Sequence, residues 1–326
     1  MHFFKIRKYT AIILICLNLM LSGCGSAPMP ESDKLRVVCI IFPQYDLARA
    51  IGKEMADVQM IMKPGAEVHG FEPSAADIRL ISEADVLVCG GGESDVWIDS
   101  ILESIDQKSE TIVHLMDYAA LLEEENPSFG SSHTHSHDHS HNEECETHGH
   151  LGFDEHIWLN PNNAISCVNA ICDAMSKADT KNKDIYRANA DEYIKKIEEA
   201  DTEIEMAIDG GKTNFIAVGD RFPYLYLTKR YGLSYAAVFS GCSPENDANP
   251  SVILKMIETM KEKNTKVVFY TELSDKKMAR TISEETGAEM MLLHSCQSIS
   301  KTDFENGKTY VDYMKENAKA LKEALS

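Results

Sequence analysis

KNKDIYRANADEYIKKIEEADTEIEMAI, residues 181–208, is the stretch that decides the fold, and it contains neither glycine nor proline. Its apolar residues recur at alternating spacings of four and three with charged residues between them, so the pattern predicts one long amphipathic helix. At roughly 1.5 Å per residue, such a helix spans about 40 Å. Its predicted buried face consists of Tyr186, Ala190, Tyr193, Ile197, Ala200, Ile204 and Ala207.

Short apolar runs alternate with helical patterns on both sides of this helix, which is typical of parallel sheets with helices on their faces. The predicted fold class is therefore α/β: two lobes, each a parallel sheet flanked by helices, joined by the long linker helix. We place the first lobe at 35–180, the linker helix at 181–209 and the second lobe at 210–326. The predicted strands are Arg36–Phe42, Val58–Met62, Val86–Cys89, Thr111–His114, Phe215–Val218, Tyr235–Phe239, Lys266–Thr271 and Glu289–Leu293. The predicted helices are Tyr45–Lys53, Ser74–Ala84, Trp97–Gln107, Pro223–Tyr231, Pro250–Lys263, Asp275–Thr286 and Thr309–Leu325.

Several of these helices carry end signals in the sequence. Ser74 with Asp77 three residues later resembles a capping box, so a helix should begin there. Asn249 followed by Pro250 is typical of a cap with proline in the first turn, and Gly287 is typical of a stop.

The net charge of the chain restricts its partners. The 326 residues include 52 acidic and 32 basic side chains, for a net charge of -20. Such a surface repels nucleic acid and attracts cations, so we expect no nucleic-acid partner. The alternative interpretation is an acidic surface that serves solubility alone.

The first 23 residues have the form of a signal peptide. Basic residues at 5, 7 and 8 precede the apolar run Ala11–Leu21, which is too short to span a bilayer. LSGC, residues 21–24, ends the run and resembles the bacterial lipobox, in which the Cys24 thiol is acylated. Residues 24–34 would then be a lipidated linker, with the protein anchored on the extracytoplasmic face of the cell membrane. An ordinary cleaved signal with an incidental cysteine is the alternative.

A histidine-rich loop is predicted at 126–152, where apolar periodicity is missing. Clustered imidazoles bind zinc, copper or nickel weakly and in many arrangements, so the loop should be an auxiliary metal collector. A solvated tract without a role is the alternative. Its histidines are His133, His135, His137, His139, His141, His148 and His150.

Three further histidines stand at the loop-like ends of predicted ordered elements. His69 lies between a strand and a capped helix, His156 follows Asp154-Glu155, and His294 follows a predicted strand. Ligands of open α/β sheets bind beyond the carboxyl ends of strands, which is where His69 and His294 fall. A lone histidine at such a place is more often a hydrogen-bonded surface residue, but three beside an imidazole-rich loop favour a metal site.

The motifs around these histidines resemble those of the bacterial zinc and manganese ABC-transporter solute-binding lipoproteins. The matching segments are the His-x-x-Glu-Pro-Ser run at His69, the Glu-His-x-Trp-Leu-Asn-Pro run at His156, the histidine-rich insert and KRYGL at 229–233. The resemblance covers nearly the whole mature chain. It implies two α/β lobes around a rigid helix, a metal bound in the cleft between them, and delivery to an ABC permease and its ATPase. We further expect a monomer without catalytic residues.

Two ligands from the first lobe carry over directly, but the second lobe departs from the family pattern. His69 and His156 match the family's motifs. The position that usually carries His or Glu is Gly219 here, so Asp220 is predicted as its substitute, with a salt bridge from Asp220 to Arg221 as the alternative.

The family's last acidic ligand falls within His294–Gln297, a segment without an acid, so His294 is predicted in its place. His69, His156, His294 and Asp220 would supply three nitrogens and one oxygen, a suitable tetrahedral set for zinc. Cys242 and Cys296 resemble the disulfide that zinc-type members often carry in the second lobe.

Zn²⁺ is the expected cargo, because the nitrogen-rich set favours zinc whereas Mn²⁺ favours carboxylates. Two other functions stay open. A zinc hydrolase would use Glu67 or Glu155 as its base, but the sequence lacks the His-Glu-x-x-His motif. A metal buffer or adhesin without an importer is the other. We expect a binding protein and not an enzyme.

Overall fold

Two parallel sheets are built from the short apolar runs of the two halves. The computed structural model describes residues 34–67, 71–105, 112–125, 152–239 and 249–326. Within these ranges each sheet has four strands, in the orders β2-β1-β3-β4 and β6-β5-β7-β8. The strands are β1 Leu35–Cys39, β2 Ala56–Met60, β3 Val86–Cys89, β4 Ile112–His114, β5 Phe215–Val218, β6 Ser234–Ala237, β7 Val267–Tyr270 and β8 Glu289–Leu292.

The apolar character of the central strands follows from burial on both faces. Every residue of β3 and of β5 is buried. β1 pairs in parallel with β2 on one side and β3 on the other, and β7 lies between β5 and β8. Parallel sheets covered by helices on both faces need such continuous apolar runs. The predicted α/β class and two-sheet arrangement are therefore confirmed.

Helices cover both sheets and connect their strands. The longer helices of the described ranges are α1 Phe42–Gly52, α2 Ala75–Glu83, α3 Val96–Ser104, α4 Pro161–Ala178, α5 Lys183–Asp209, α6 Leu225–Tyr231, α7 Pro250–Glu262, α8 Lys277–Thr286, α9 Lys301–Glu305 and α10 Tyr310–Ala324.

The linker helix predicted at 181–209 is α5. All seven residues of its predicted apolar face are buried. This face packs on α1 and α4 from the first half of the chain and on α10 from the second half. One main hydrophobic cluster includes residues of both sheets, among them Val88 and Phe269. The long helix therefore holds the two lobes against a shared core.

The predicted caps form as expected. The Ser74 side chain accepts from the Asp77 amide while Asp77 bonds back to the Ser74 amide. Asn249 caps α7, with Pro250 in its first turn. Gly287 ends α8 with a φ of 72°. Within the described ranges, none of the helices combines the length and apolar character that a membrane span requires.

Candidate functional site

His156 is held in place by a buried carboxylate. It lies just before the 3-10 turn Ile157–Leu159, which leads into α4. Its backbone amide and its ring Nδ1 both bond to Oδ1 of Asp154, at 2.9 and 3.0 Å. The exposed fractions of Asp154 and His156 are 2% and 1%. In the neutral imidazole, a proton on Nδ1 that donates to Asp154 leaves the lone pair of Nε2 for a metal ion.

Several charges act on the His156 imidazole. Burial opposes its protonation, but the charge and hydrogen bond of Asp154 outweigh burial, with further contributions from Glu155 and Glu272. Together they raise the pKa of His156 above its usual value. The imidazole therefore lies in a negative environment, which also favours a bound cation.

A small cavity lies where the loops of the two lobes meet. Its volume is about 50 Å³. A water molecule needs at least about 10–15 Å³ of such space, so the cavity has room for one ion and a few waters. The lining residues that matter for its chemistry are His156 and Glu67 from the first lobe and Arg221, Glu272, Ser295 and Gln297 from the second.

Glu272 follows β7 and is fixed by the loop after β8. Its Oε2 accepts from the Ser295 amide at 2.8 Å, and its Oε1 accepts from the Ser295 hydroxyl at 2.5 Å. The carboxyl ends of neighbouring parallel strands meet at one edge of a sheet, which brings these two residues together. The second lobe thus presents an oriented carboxylate to the cavity that His156 lines.

The segment that leads to His69 is attached to the second lobe. The Gly65 amide donates to the Ile299 carbonyl at 2.8 Å. Arg221 Nη1 lies 3.5 Å from Glu67 Oε1 across the cleft. This loop of the first lobe therefore contacts the second lobe directly at the cavity.

Asp220 lies beside this cavity, and both of its oxygens are bonded. Oδ1 accepts from the Arg221 amide at 2.9 Å, while Oδ2 accepts from the Thr271 amide at 3.2 Å and from its hydroxyl at 3.0 Å. The residue lines a neighbouring cavity of about 290 Å³, which Glu272 also lines. The Arg221 guanidinium pairs with Glu67.

Gly219 has no room for a side chain. A Cβ added there would lie 2.6 Å from the Cα of Ala279 in α8. Carbon atoms in good contact are about 3.5–4.0 Å apart. Because α8 lies this close, no side chain that could bind a metal fits at position 219.

His294 packs on α10. Its Nε2 lies 3.1 Å from Glu316 Oε2, and its ring stacks on Tyr313 with 4.2 Å between the ring centroids. Asn317 bonds to both the amide and the carbonyl of His294, at 2.7 and 2.8 Å. Burial lowers the pKa of His294, opposed most strongly by the charge of Glu272. The imidazole is thus oriented by α10.

Comparison with known proteins identifies the family. Residues 37–324 match the family described as zinc-uptake complex component A, periplasmic. The chain belongs to this family. It is similar to the high-affinity zinc uptake system protein ZnuA of Bacillus subtilis, with 32% identity over 98% of both chains.

Two streptococcal comparisons agree with this result. The zinc-binding protein AdcA of Streptococcus pyogenes is 29% identical over 89% of this chain, which spans only 56% of the length of AdcA. The Zn(II)-bound ZnuA-like domain of Streptococcus pneumoniae AdcA is 25% identical and matches 90% of this chain and 99% of that domain, with a TM-score of 0.71. The expected family and the two-lobe fold are confirmed.

Several predicted residues of this family member lie outside the described ranges: His69, the seven loop histidines, Cys24 and Cys242. Cys296 is a buried free thiol, with Sγ 3.9 Å from the His294 carbonyl oxygen. Its bridge to Cys242 is not seen and stays a prediction. Among the residues that the structure describes, no three His, Cys, Asp or Glu side chains form a group that could hold a metal ion.

Sequence reasoning missed two residues of the site. Asp154 stands two residues before His156, a spacing that allowed its carboxylate to be recognised as a partner of the imidazole. Glu272 stands two residues after the end of β7, and the strand-end rule that selected His294 applies equally to it.

Proposed function

We propose that this protein captures Zn²⁺ in the cleft between its lobes and delivers it to an ABC-type importer made of a permease and an ATPase. The observation that carries the proposal is the buried Asp154–His156 pair, which leaves an imidazole lone pair for an ion in a cavity lined by both lobes. Metal ligands of this kind commonly donate their second ring N–H to a carboxylate. The relatives named for zinc uptake and zinc binding support the choice of metal.

His69 is the second proposed ligand of the first lobe. It stands two residues after Glu67, which lines the cavity. For the second lobe, Asp220 and His294 remain predictions: Asp220 lies beside the cavity with both oxygens bonded, and His294 packs on α10. Zinc is preferred to manganese because imidazole nitrogens lead the proposed set.

Delivery needs the loaded form to differ from the empty form. Ligands drawn from both lobes would make binding and lobe position interdependent, so a membrane partner could recognise the loaded protein. We further propose that Cys24 is acylated and holds a monomer on the extracytoplasmic face of the membrane. The histidine-rich loop would raise the local metal concentration near the cleft.

A zinc titration against a chromophoric chelator tests the proposal. We expect one tight site per wild-type chain, and a loss of about 100-fold or more in affinity for His156→Ala, since even the partners of metal ligands contribute about 10–100-fold. His114→Ala is the matched control, because His114 lies in the same lobe but contacts Cys89, with 3.4 Å between Nδ1 and Sγ. Circular dichroism checks that each variant is folded.

Deletion of residues 126–152 separates the loop from the cleft. We expect the deletion variant to keep the tight site and to lose weakly bound additional ions in native mass spectrometry. Wild-type protein without one-to-one zinc binding would refute the proposal. Loss of the tight site on loop deletion would show that the loop, and not the cleft, holds the tightly bound ion.

A further inference from the structure

We infer that Glu272 is the carboxylate ligand that the second lobe contributes to the metal. This inference rests on the proposed function and names a ligand that the family motifs do not assign. Glu272 lies at the carboxyl end of the central strand β7 and lines the same cavity as His156. Both oxygens of its carboxylate accept from Ser295, which directly follows His294 and lines the same cavity.

The carboxylate of Glu272 is oriented but not saturated. The amide and hydroxyl of Ser295 each donate one hydrogen bond to it. An ionised carboxylate has about four lone-pair sites, so two remain for a cation. Hydrogen bonds to a ligating carboxylate are the usual means of fixing its direction.

The other carboxylates around the cleft are already engaged. Asp220 accepts three hydrogen bonds, from the Arg221 amide and from the Thr271 amide and hydroxyl. Glu67 faces the Arg221 guanidinium. Asp154 holds His156 through two bonds. Gly219 has no space for any donor side chain.

Charge balance also favours an anion at this point. A divalent ion bound by neutral imidazoles keeps its full charge, and in a site shielded from water a nearby negative group compensates for lost hydration. Glu272 supplies that charge from the lobe opposite His156. Gln297, which lines the same cavity, can add a neutral amide oxygen.

The experiment compares zinc affinities of the full mature chain and four variants: Glu272→Gln, Asp220→Asn, Ser295→Ala and Asp275→Asn. We expect Glu272→Gln to lower the affinity by about 100-fold or more, beyond the range of about 10–100-fold that removal of a ligand's hydrogen-bond partner costs. Ser295→Ala should fall within that lower range, and Asp220→Asn should lose less than Glu272→Gln. Asp275→Asn is the matched control. Its carboxylate accepts a hydrogen bond from the Lys277 amide at 2.8 Å, and the residue does not line the small cavity. It should stay within about threefold of the wild type, as expected for a surface change.

Visible spectra of the Co²⁺-loaded proteins provide a second measurement. Glu272→Gln should change the d–d bands because a ligand is lost, whereas Ser295→Ala should keep their positions. Glu272→Asp, which keeps the charge on a shorter side chain, should bind zinc with intermediate affinity if Glu272→Gln does not fold.

The inference is overturned if Glu272→Gln binds zinc within about threefold of the wild type, the range of neutral surface changes. It is also overturned if Ser295→Ala or Asp220→Asn loses as much affinity as Glu272→Gln. Tight wild-type binding combined with any of these results refutes only the ligand assignment. Absence of one-to-one binding by the wild type refutes the proposed function as well.

Discussion

Replacement of Gly219 by alanine tests whether the close approach of α8 excludes a side chain from this position of the second lobe. An added Cβ would meet the Cα of Ala279 at 2.6 Å and its Cβ and backbone nitrogen at 3.0 Å. These distances are roughly 0.5–1.4 Å shorter than good carbon contacts. Two of the three atoms belong to the backbone of α8, and the third is the Cβ of an alanine, which cannot rotate away. The clash must therefore be relieved by movement of the helix or of the strand end.

We expect Gly219→Ala to lower the free energy of unfolding by about 1–3 kcal/mol, the usual cost of overpacking. Gly219→His should cost more and should not raise zinc affinity, because the new imidazole has no space beside α8. Urea denaturation of the metal-free protein measures the change. Gly210→Ala is the control: its Cβ would lie 3.3 Å from the Met206 carbonyl oxygen at the end of α5, a contact that a small shift relieves. A Gly219→Ala variant that unfolds within about 0.5 kcal/mol of the wild type, the range of a neutral surface change, would refute the packing explanation.

Three further predictions concern carboxylates, of which Asp154 and Asp46 are buried and Asp95 is partly buried. Asp154→Asn removes the charge that fixes His156, so zinc affinity should fall by about 10–100-fold in a chelator titration; unchanged affinity would show that the pair does not orient the ligand. Asp46→Ala leaves the Tyr193 hydroxyl and the Arg49 guanidinium without their shared buried acceptor, and urea denaturation should show a loss of about 3–5 kcal/mol; a loss below about 1 kcal/mol, a typical single mutation, would contradict this. Burial raises the pKa of Asp95 to about 6, so its contribution to stability is full below about pH 4 and is lost as the pH rises through 6. At pH 8, Asp95→Asn should therefore have a higher free energy of unfolding than the wild type in urea denaturation, by at most about 3 kcal/mol, the equivalent of roughly two pKa units. The gain should shrink towards pH 4, and a gain that is independent of pH would contradict the titration.

Much of the fold was readable from the sequence because it depends on local patterns. The linker helix α5 needs only its own periodicity, and its predicted face is the buried one. The start of α1 was misplaced: Phe42 was assigned to the first strand, but it opens the helix, with Pro43 in the first turn. Helix α4 was missed, although Asn160-Pro161 gives the same start signal as Asn249-Pro250.

The site was less predictable because it depends on which strands are neighbours. His156 was found from a motif, but the role of Glu272 follows from the strand order β6-β5-β7-β8, which places β7 between β5 and β8. Local periodicity does not determine that order. Likewise, nothing in the sequence around His294 indicates that Tyr313 and Glu316 of α10 would orient its ring.

Contacts between the lobes restrict how the cleft can change when an ion enters. The Trp158 indole donates to the Ser295 carbonyl at 2.7 Å, and the Tyr310 hydroxyl donates to the Trp158 carbonyl at 2.6 Å. Wide opening would exchange these two buried bonds for bonds to water, at a net cost of about 0.5–1.5 kcal/mol for each bond. The Arg221–Glu67 pair differs, because the Glu67 side chain is 57% exposed and its separation from Arg221 is 3.5 Å. An exposed pair of this kind contributes at most about 1 kcal/mol. We therefore expect the ion to enter by displacement of this pair, while the bonds around Trp158 keep the segment that carries His156 fixed against the second lobe.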